Sequence, residues 1–285
     1  MTQSGEKKRI AVTGANGFIG RHTVKALQQN GTEVLALSRK DFDIHAENTP
    51  SYEQIGRPDA VLHLAWGGLS NYRDRAHFET ELPAHYRFLK HLVETGLPAL
   101  VAVGTCQEYG MKSGALSEDM PADPHMPYGF AKDTLRRQMQ FLQKDVDFNL
   151  TWARLFYTYG AGQPRNSLLP QLEVAAKSGA AEFNMSGGAQ LRDYLPVETV
   201  AAHLAVLALR GGDDGIVNLC SGAPVAVRDL VAGWIAENNW KIRPNLGFYP
   251  YPDYEEMEFW GKNDKLQNIL REEENEPASG FQTGM

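Results

Sequence analysis

Two cysteines in 285 residues, Cys106 and Cys220, leave neither a disulfide framework nor a cysteine-based zinc site to build on. Positive charge is also short: 28 Lys and Arg against 35 Asp and Glu give a formal net charge of -7. That balance argues against nucleic acid or an anionic membrane as a partner. No apolar stretch reaches the ~18 residues a membrane span needs, and no basic segment leading into an apolar run stands near Met1, so the expectation is a cytoplasmic protein. The eight histidines show no His-x-x-x-His or comparable ligand spacing, so no metal site is expected.

What is present is organised around Arg9-Ile-Ala-Val-Thr-Gly-Ala-Asn-Gly-Phe-Ile-Gly20. Ile10 to Val12 form a continuous apolar strand, as expected of a strand buried on both faces of a parallel sheet. Gly14 permits a tight turn, Gly17 lets the backbone approach a pyrophosphate, and Gly20 lets the following helix pack closely on the strand. The helix beginning near Phe18 offers its unpaired N–H groups and positive dipole end to phosphate. This is a dinucleotide cradle.

Strands then alternate with helices through the first half, which predicts a doubly wound parallel α/β sheet. The strands read as Glu33–Leu37, Asp59–Trp66, Leu97–Thr105, Phe148–Leu155 and Gly215–Cys220. A long helix is predicted from Ala76 to Thr95, kinked at Pro83 because proline lacks the N–H that the helix requires. Another carries Tyr128 and Lys132 and continues to Asp145, with Leu135, Met139 and Leu142 on one face. Later helices cover Val197–Arg210 and Ala226–Asn239. Residues 271–285 are acidic and without periodicity, and read as a flexible tail.

The second strand decides the nicotinamide cofactor. An acid at its C-terminal end binds the ribose 2′-hydroxyl of NAD, whereas arginine accommodates the 2′-phosphate of NADP. Ser38-Arg39 stands there, which favours NADP(H).

Thr-Gly-x-x-Gly-x-x-Gly at the N-terminus, Gly104-Thr-Cys-Gln-Glu-Tyr-Gly110, Tyr128-x-x-x-Lys132 and Gly-x-x-x-Arg192-Asp-Tyr-x-x-Val197 occur in the order seen in extended short-chain dehydrogenase/reductases, a family this chain resembles over residues 8 to 266. The resemblance implies a Rossmann domain over residues 1–160, a smaller α/β substrate lobe over 161–270 interleaved with its sheet, and a homodimer through the helices of residues 76–95 and 128–145. It implies cofactor contacts from Gly14, Asn16, Gly17, Phe18, Ile19, Gly20, Ser38, Arg39, Asp43, Ile44, Leu64, Ala65, Tyr128 and Lys132. Thr105, Tyr128 and Lys132 are the implied catalytic set. Tyr128 exchanges a proton with the substrate oxygen, Thr105 orients that oxygen, and Lys132 binds the nicotinamide ribose. A neighbouring ammonium, together with an oxidised nicotinamide, is expected to bring the phenol pKa down from about 10.

Several positions depart from the family. Dehydratases carry Asp-Glu after the threonine, where this chain has Cys106 and Gln107, so elimination of water is not expected. Glu81 falls where relatives often place an asparagine of the catalytic tetrad. Tyr157 replaces an asparagine that commonly touches substrate. Thr105, Gln107, Tyr157, Arg165, Asn166 and Arg192 are the implied substrate contacts, Arg192 through bidentate bonds to a diphosphate. His63 and Cys106 are read as packed structural residues. The resemblance implies an enzyme that reduces the C4 keto group of a nucleoside-diphosphate 4-keto-6-deoxyhexose with NADP(H). The alternatives are a 4-epimerase with tightly bound NAD and a cofactor-sensing protein without chemistry.

Overall fold

The computed structural model describes residues 7–251, 253 and 256–275. Six parallel strands form the main sheet: β1 (Arg9–Thr13), β2 (Glu33–Leu37), β3 (Ala60–His63), β4 (Ala99–Thr105), β6 (Asn149–Leu155) and β11 (Gly215–Leu219). Their spatial order is β11-β6-β4-β3-β1-β2. The order reverses between β1 and β3, and this switch point is where such sheets bind ligands at their carboxyl ends.

Every second strand residue faces one layer of helices. Ile10, Val12, Leu62, Val101 and Ala153 join α1 (Phe18–Gln29), α5 (Val197–Arg210) and α7 (Asp264–Asn275) in one core. Ala11, Val61, Leu100, Ala102 and Trp152 join α2 (Leu82–Glu94) and α3 (Pro127–Leu142) in the other. Burial on both faces explains why these strands read as unbroken apolar runs.

The remaining strands are short. A four-stranded sheet in the order β12-β9-β14-β5 is built from β12 (Val225–Ala226), β9 (Leu191–Arg192), β14 (Glu258–Gly261) and β5 (Gly114–Leu116). Two two-stranded sheets pair β10 (Tyr194–Pro196) with β7 (Tyr157–Tyr159), and β13 (Arg243–Asn245) with β8 (Glu182–Asn184). The two two-stranded sheets, with α4 (Leu168–Lys177) and α6 (Val227–Glu237), cluster around Leu172, Phe183, Val231 and Trp234, while Leu116 of β5 and Phe259 of β14 pack with Tyr109, Phe156 and Cys220. Chain order and sheet membership cross: β5 comes from the first half and β11 from the second.

Three expected elements differ in detail. The strand expected to run to Trp66 ends at His63, because the next two amides turn back to Thr13: Leu64 N–H to its carbonyl and Ala65 N–H to its hydroxyl. The long helix divides into a π-helical turn, His77–Glu81, and α2. Leu82 N–H reaches five residues back to the His77 carbonyl, and Pro83, lacking an N–H, takes a place in the first turn of α2 where none is needed. Arg271 to Asn275, expected to belong to a tail, complete α7, with Arg210 of α5 holding Glu272 and Glu273 at 3.0 Å each. Residues 276–285 of that expected tail lie outside the described residues. Among the described residues no helix is long and apolar enough to cross a membrane.

Candidate active site

The cradle closes through Gly17 N–H donating to the Gly14 carbonyl at 2.9 Å. Gly14 has φ 68°, and a Cβ there would lie 2.8 Å from the Ala65 nitrogen; a Cβ on Gly20 would overlap the Gly14 carbonyl oxygen. Asn16 and Gly17 are exposed, and α1 begins with no side-chain cap and no acid in its first turn, Phe18 and Ile19 supplying its first amides. The donor set therefore suits the pyrophosphate of a dinucleotide. Leu64 and Ala65 flank the cradle.

At the end of β2, Ser38 donates its N–H and its hydroxyl to the Asp41 carboxylate at 2.7 and 2.8 Å. These bonds hold Asp41 below the usual carboxylate range. Arg39 is exposed beside this turn. Asp43 is exposed and accepts from the His45 amide at 3.0 Å, while Ile44 packs on the core.

Thr105 closes β4 and caps the short turn Cys106–Tyr109. Its hydroxyl accepts from Gln107 N–H at 3.3 Å, and its own N–H donates to Glu108 at 2.8 Å. Glu108 is fully buried and pairs with Arg154 at 2.7 Å. Tyr128, in the first turn of α3, is close enough to the Thr105 side chain for that hydroxyl to favour its ionised form. Its ring lies 5.0 Å from that of Tyr72 and 5.2 Å from that of His77. Lys132, one turn on, is buried, donates to the Val103 carbonyl at 2.9 Å and sits 3.9 Å from the Trp66 ring centroid.

The structure thus joins the three expected catalytic side chains, with one change in their electrostatics. Burial pushes Tyr128 well above 10, with Tyr72, Glu108 and Cys106 acting the same way and the Thr105 hydroxyl against them. The lowering expected from an ammonium together with an oxidised nicotinamide would act against this desolvation. Burial also takes Lys132 down to about 7, against the pull of Glu108 and Glu81.

Two cavities meet at Tyr157, which lines both. The inner one, about 30 Å³, is walled by Cys106, Gln107, Met126 and Phe259 among others. Gln107 Oε1 is buried there without a partner. The outer one, about 730 Å³, takes Arg192, Gln171, Phe183, Tyr249 and Tyr251 into its lining. Arg192 is buried, with Nη1 2.8 Å from the Leu191 carbonyl, and its guanidinium carbon lies 6.0 Å from the Tyr157 ring. Arg165 and Asn166 stand in the exposed turn before α4 and line neither cavity; Leu168 and Gln171, on the helix itself, do. Cys106 packs with Tyr109, Phe156 and Cys220, and burial pushes the Cys220 thiol up.

Sequence reasoning missed Trp66 and His85, and left Glu81 without a role. His63 is a bonded structural residue as expected, between Thr13 (2.9 Å) and His85 (2.8 Å), and His85 reaches Glu81 at 3.1 Å. Only Glu81 and His85, four apart, carry a local spacing; Thr13 and His63 come from two separate strands.

Comparison with known proteins agrees with this geometry. The chain is 32% identical over 268 residues to dTDP-6-deoxy-L-talose 4-dehydrogenase (NAD(+)) of Aggregatibacter actinomycetemcomitans, covering 88% of this chain and 98% of the relative. It is 30% identical to dTDP-6-deoxy-L-talose 4-dehydrogenase (NAD(P)(+)) of Kitasatospora kifunensis, with 86% and 83% covered. UDP-glucose 4-epimerase of Lactobacillus helveticus matches at 28%, covering 70% and 72%. The solved structure of MoeE5 in complex with UDP-glucose and NAD superposes with a TM-score of 0.79 at 25% identity, over 92% of each chain. Residues 10–220 match the family described as NAD dependent epimerase/dehydratase. The chain belongs to that family and is an NAD(P)-dependent oxidoreductase of the extended short-chain dehydrogenase/reductase kind.

Proposed function

We propose that the protein reduces the C4 keto group of a nucleoside-diphosphate 4-keto-6-deoxyhexose. The observation that carries this is the inner cavity, lined by Cys106 and Gln107, the two residues that follow Thr105, which offer no carboxyl for elimination. The two relatives of highest identity given above, named as 4-dehydrogenases of a 6-deoxyhexose nucleotide, support the same substrate class.

Gly14, Gly17 and the first turn of α1 would hold the cofactor pyrophosphate, and Lys132 the nicotinamide ribose. A bound nicotinamide supplies two electrons to the carbonyl carbon as hydride. Tyr128, a phenol at neutral pH, gives its proton to the carbonyl oxygen. Thr105 orients that oxygen, and Glu108 fixes Thr105 by accepting its N–H. In the outer cavity Arg192 bonds the diphosphate, with Tyr157 between diphosphate and sugar. Gln107 Oε1 is an acceptor for a sugar hydroxyl.

The preferred cofactor is NADP(H). Asp41 is turned onto Ser38, so its carboxylate is engaged with the backbone, while exposed Arg39 is placed for a 2′-phosphate. Two free buried cysteines suit a reducing cytoplasm. Exposed Phe130 and Phe141 on α3 suit a homodimer through α2 and α3. A 4-epimerase is the second reading, favoured by the match to UDP-glucose 4-epimerase.

The test is oxidation of NADPH and NADH with dTDP-, GDP- and CDP-4-keto-6-deoxyhexoses, with products identified by NMR. Stoichiometric oxidation of NADPH is expected, and Tyr128→Phe abolishes it. Exchange of C4 epimers with no net oxidation, and NAD retained through purification, would replace the reductase with the epimerase.

A further inference from the structure

Behind Lys132 lies an array of polar side chains that the reduction does not use. Ala65 N–H donates to the Thr13 hydroxyl at 3.3 Å, and that hydroxyl lies 2.9 Å from His63 Nδ1. His63 Nε2 and His85 Nδ1 are 2.8 Å apart, and His85 Nε2 is 3.1 Å from Glu81 Oε2. Although burial opposes its charge, bonds from His85 and the Gly67 amide take Glu81 down to about 2, so it only accepts. Every bond in the array then has one direction. His85 carries its proton on Nε2 and accepts at Nδ1; His63 does the same and accepts from the Thr13 hydroxyl.

Glu81 also accepts Gly67 N–H at 2.8 Å, and the fit is close: a Cβ on Gly67 would lie 2.5 Å from Glu81 Oε1. Trp66, the neighbouring residue, donates Nε1 to His77 Nδ1 at 3.1 Å. Its ring stacks on His85 at 4.5 Å and 23°, and takes the Lys132 ammonium at 3.9 Å from its centroid. The indole is thus held on both sides by groups that Glu81 fixes.

Other charges face Lys132. Glu108, on the turn after β4, is neutralised by Arg154 of β6 at 2.7 Å. Asp133, next on α3, pairs with Arg136 and with Arg137. Burial keeps His63 and His85 uncharged at neutral pH, and Tyr128 keeps its proton. Glu81 is left as the carboxylate whose partners around the ammonium are the Gly67 amide, neutral His85 and half-exposed His45.

We propose that Glu81 is a positioning residue for Lys132: through the Gly67 amide and the oriented His85 it clamps the Trp66 indole on the ammonium, and it serves as the counter-charge. Its consequence for turnover rests on the reductase reading above; its effect on Lys132 does not.

The experiment is NMR titration of the whole cofactor-free protein labelled at lysine 13Cε and 15Nζ, with the Lys132 signal assigned by its loss in Lys132→Met. Glu81→Gln retains the size and an acceptor for Gly67 but removes the charge, and lowers the Lys132 midpoint by about half a unit or more. Glu81→Asp, which keeps the charge, restores it. In the NADPH oxidation assay the basic limb of kcat, where Lys132 loses its proton, moves down by the same amount in Glu81→Gln. Should that variant not fold, the ring decides: Trp66→Phe leaves the midpoint within about 0.3 units, and Trp66→Leu lowers it by about half a unit. An unchanged midpoint in Glu81→Gln, or equal midpoints in the two Trp66 variants, overturns the proposal. A shifted midpoint in a protein that reduces no sugar nucleotide sinks the substrate reading alone.

Discussion

Glu108 and Arg154 join Thr105 to the core, and replacing them has a magnitude that follows from their burial. Both are fully buried, and Glu108 accepts from Arg154 Nε at 2.7 Å, from Trp152 Nε1 at 3.0 Å and from Thr105 N–H at 2.8 Å. Burial works against the Arg154 charge, yet Glu108 and Tyr109 hold its pKa above the ordinary value. Glu108→Gln leaves that guanidinium with only Asp133, at 4.0 Å and shared with Arg136 and Arg137, and costs about 3–5 kcal/mol. For a chain of this length that is a fall in Tm of roughly 10 °C. Arg154→Met strands the carboxylate and costs a similar amount. Glu108→Leu with Arg154→Met removes both charges and costs less than the single changes together, by about 2 kcal/mol. The donors of Thr105 and Trp152 remain unmet in the double variant, so recovery is incomplete. Thermal and urea melts followed by circular dichroism read all three. Strict additivity would refute the claim that the pair acts as a unit, and a Glu108→Gln loss below about 1 kcal/mol would refute the burial argument itself.

Acid weakens the fold through His85, whose buried imidazole is pushed down from 6.5 to about 4. The unfolded chain takes that proton first, so stability falls as pH drops from 6.5 towards 4, by about 3 kcal/mol; His63 acts in the same direction, and a flat melting profile over this range would contradict both. Gly20→Ala forces α1 off the Gly14 carbonyl and weakens NADPH binding at least tenfold, a loss of about 1.4 kcal/mol or more, whereas Gly233→Ala, in an exposed part of α6 with open space around its Cβ, stabilises by about 0.5–1 kcal/mol. Fluorescence titration with NADPH and thermal melts separate the two. Arg192→Met raises KM for the nucleotide sugar tenfold or more while kcat changes little, because a diphosphate contact is made equally in ground and transition states; a kcat loss with unchanged KM would place Arg192 elsewhere.

The parts of this protein that were legible in the sequence are those whose chemistry is local. Three glycines in seven residues require one turn, and Tyr128 and Lys132 lie one helical turn apart, so spacing alone puts them on one face. Apolar runs showed the strands because both sheet faces are covered. What stayed hidden depends on distant partners. Glu81, His85 and His63 become one array only when β3 and α2 are laid side by side. The last turn of α7 is polar throughout and owes its two ion pairs to Arg210, some sixty positions earlier. Arg165 was a substrate contact implied by resemblance, and it stands in an exposed turn that does not line the cavity that Arg192 enters.

The two dehydrogenases above and the proposed reductase differ in name more than in chemistry. A catalyst stabilises one transition state for both directions. In the proposed mechanism Tyr128 would give a proton to the oxygen in reduction and take it back in oxidation, with Thr105 holding the oxygen in each. Direction is then set by which nicotinamide pool the cradle draws on, and on the reading proposed above that choice falls to the Ser38–Asp41 turn. There the exposed Arg39 competes with a carboxylate that two bonds from Ser38 keep against the backbone. Arg39→Ala separates the two contributions, since losing the guanidinium removes a bond to a 2′-phosphate and leaves a 2′-hydroxyl untouched. On the proposed reading the selectivity and the direction of the reaction are one question, and Arg39→Ala puts it to four residues more than sixty positions before Thr105.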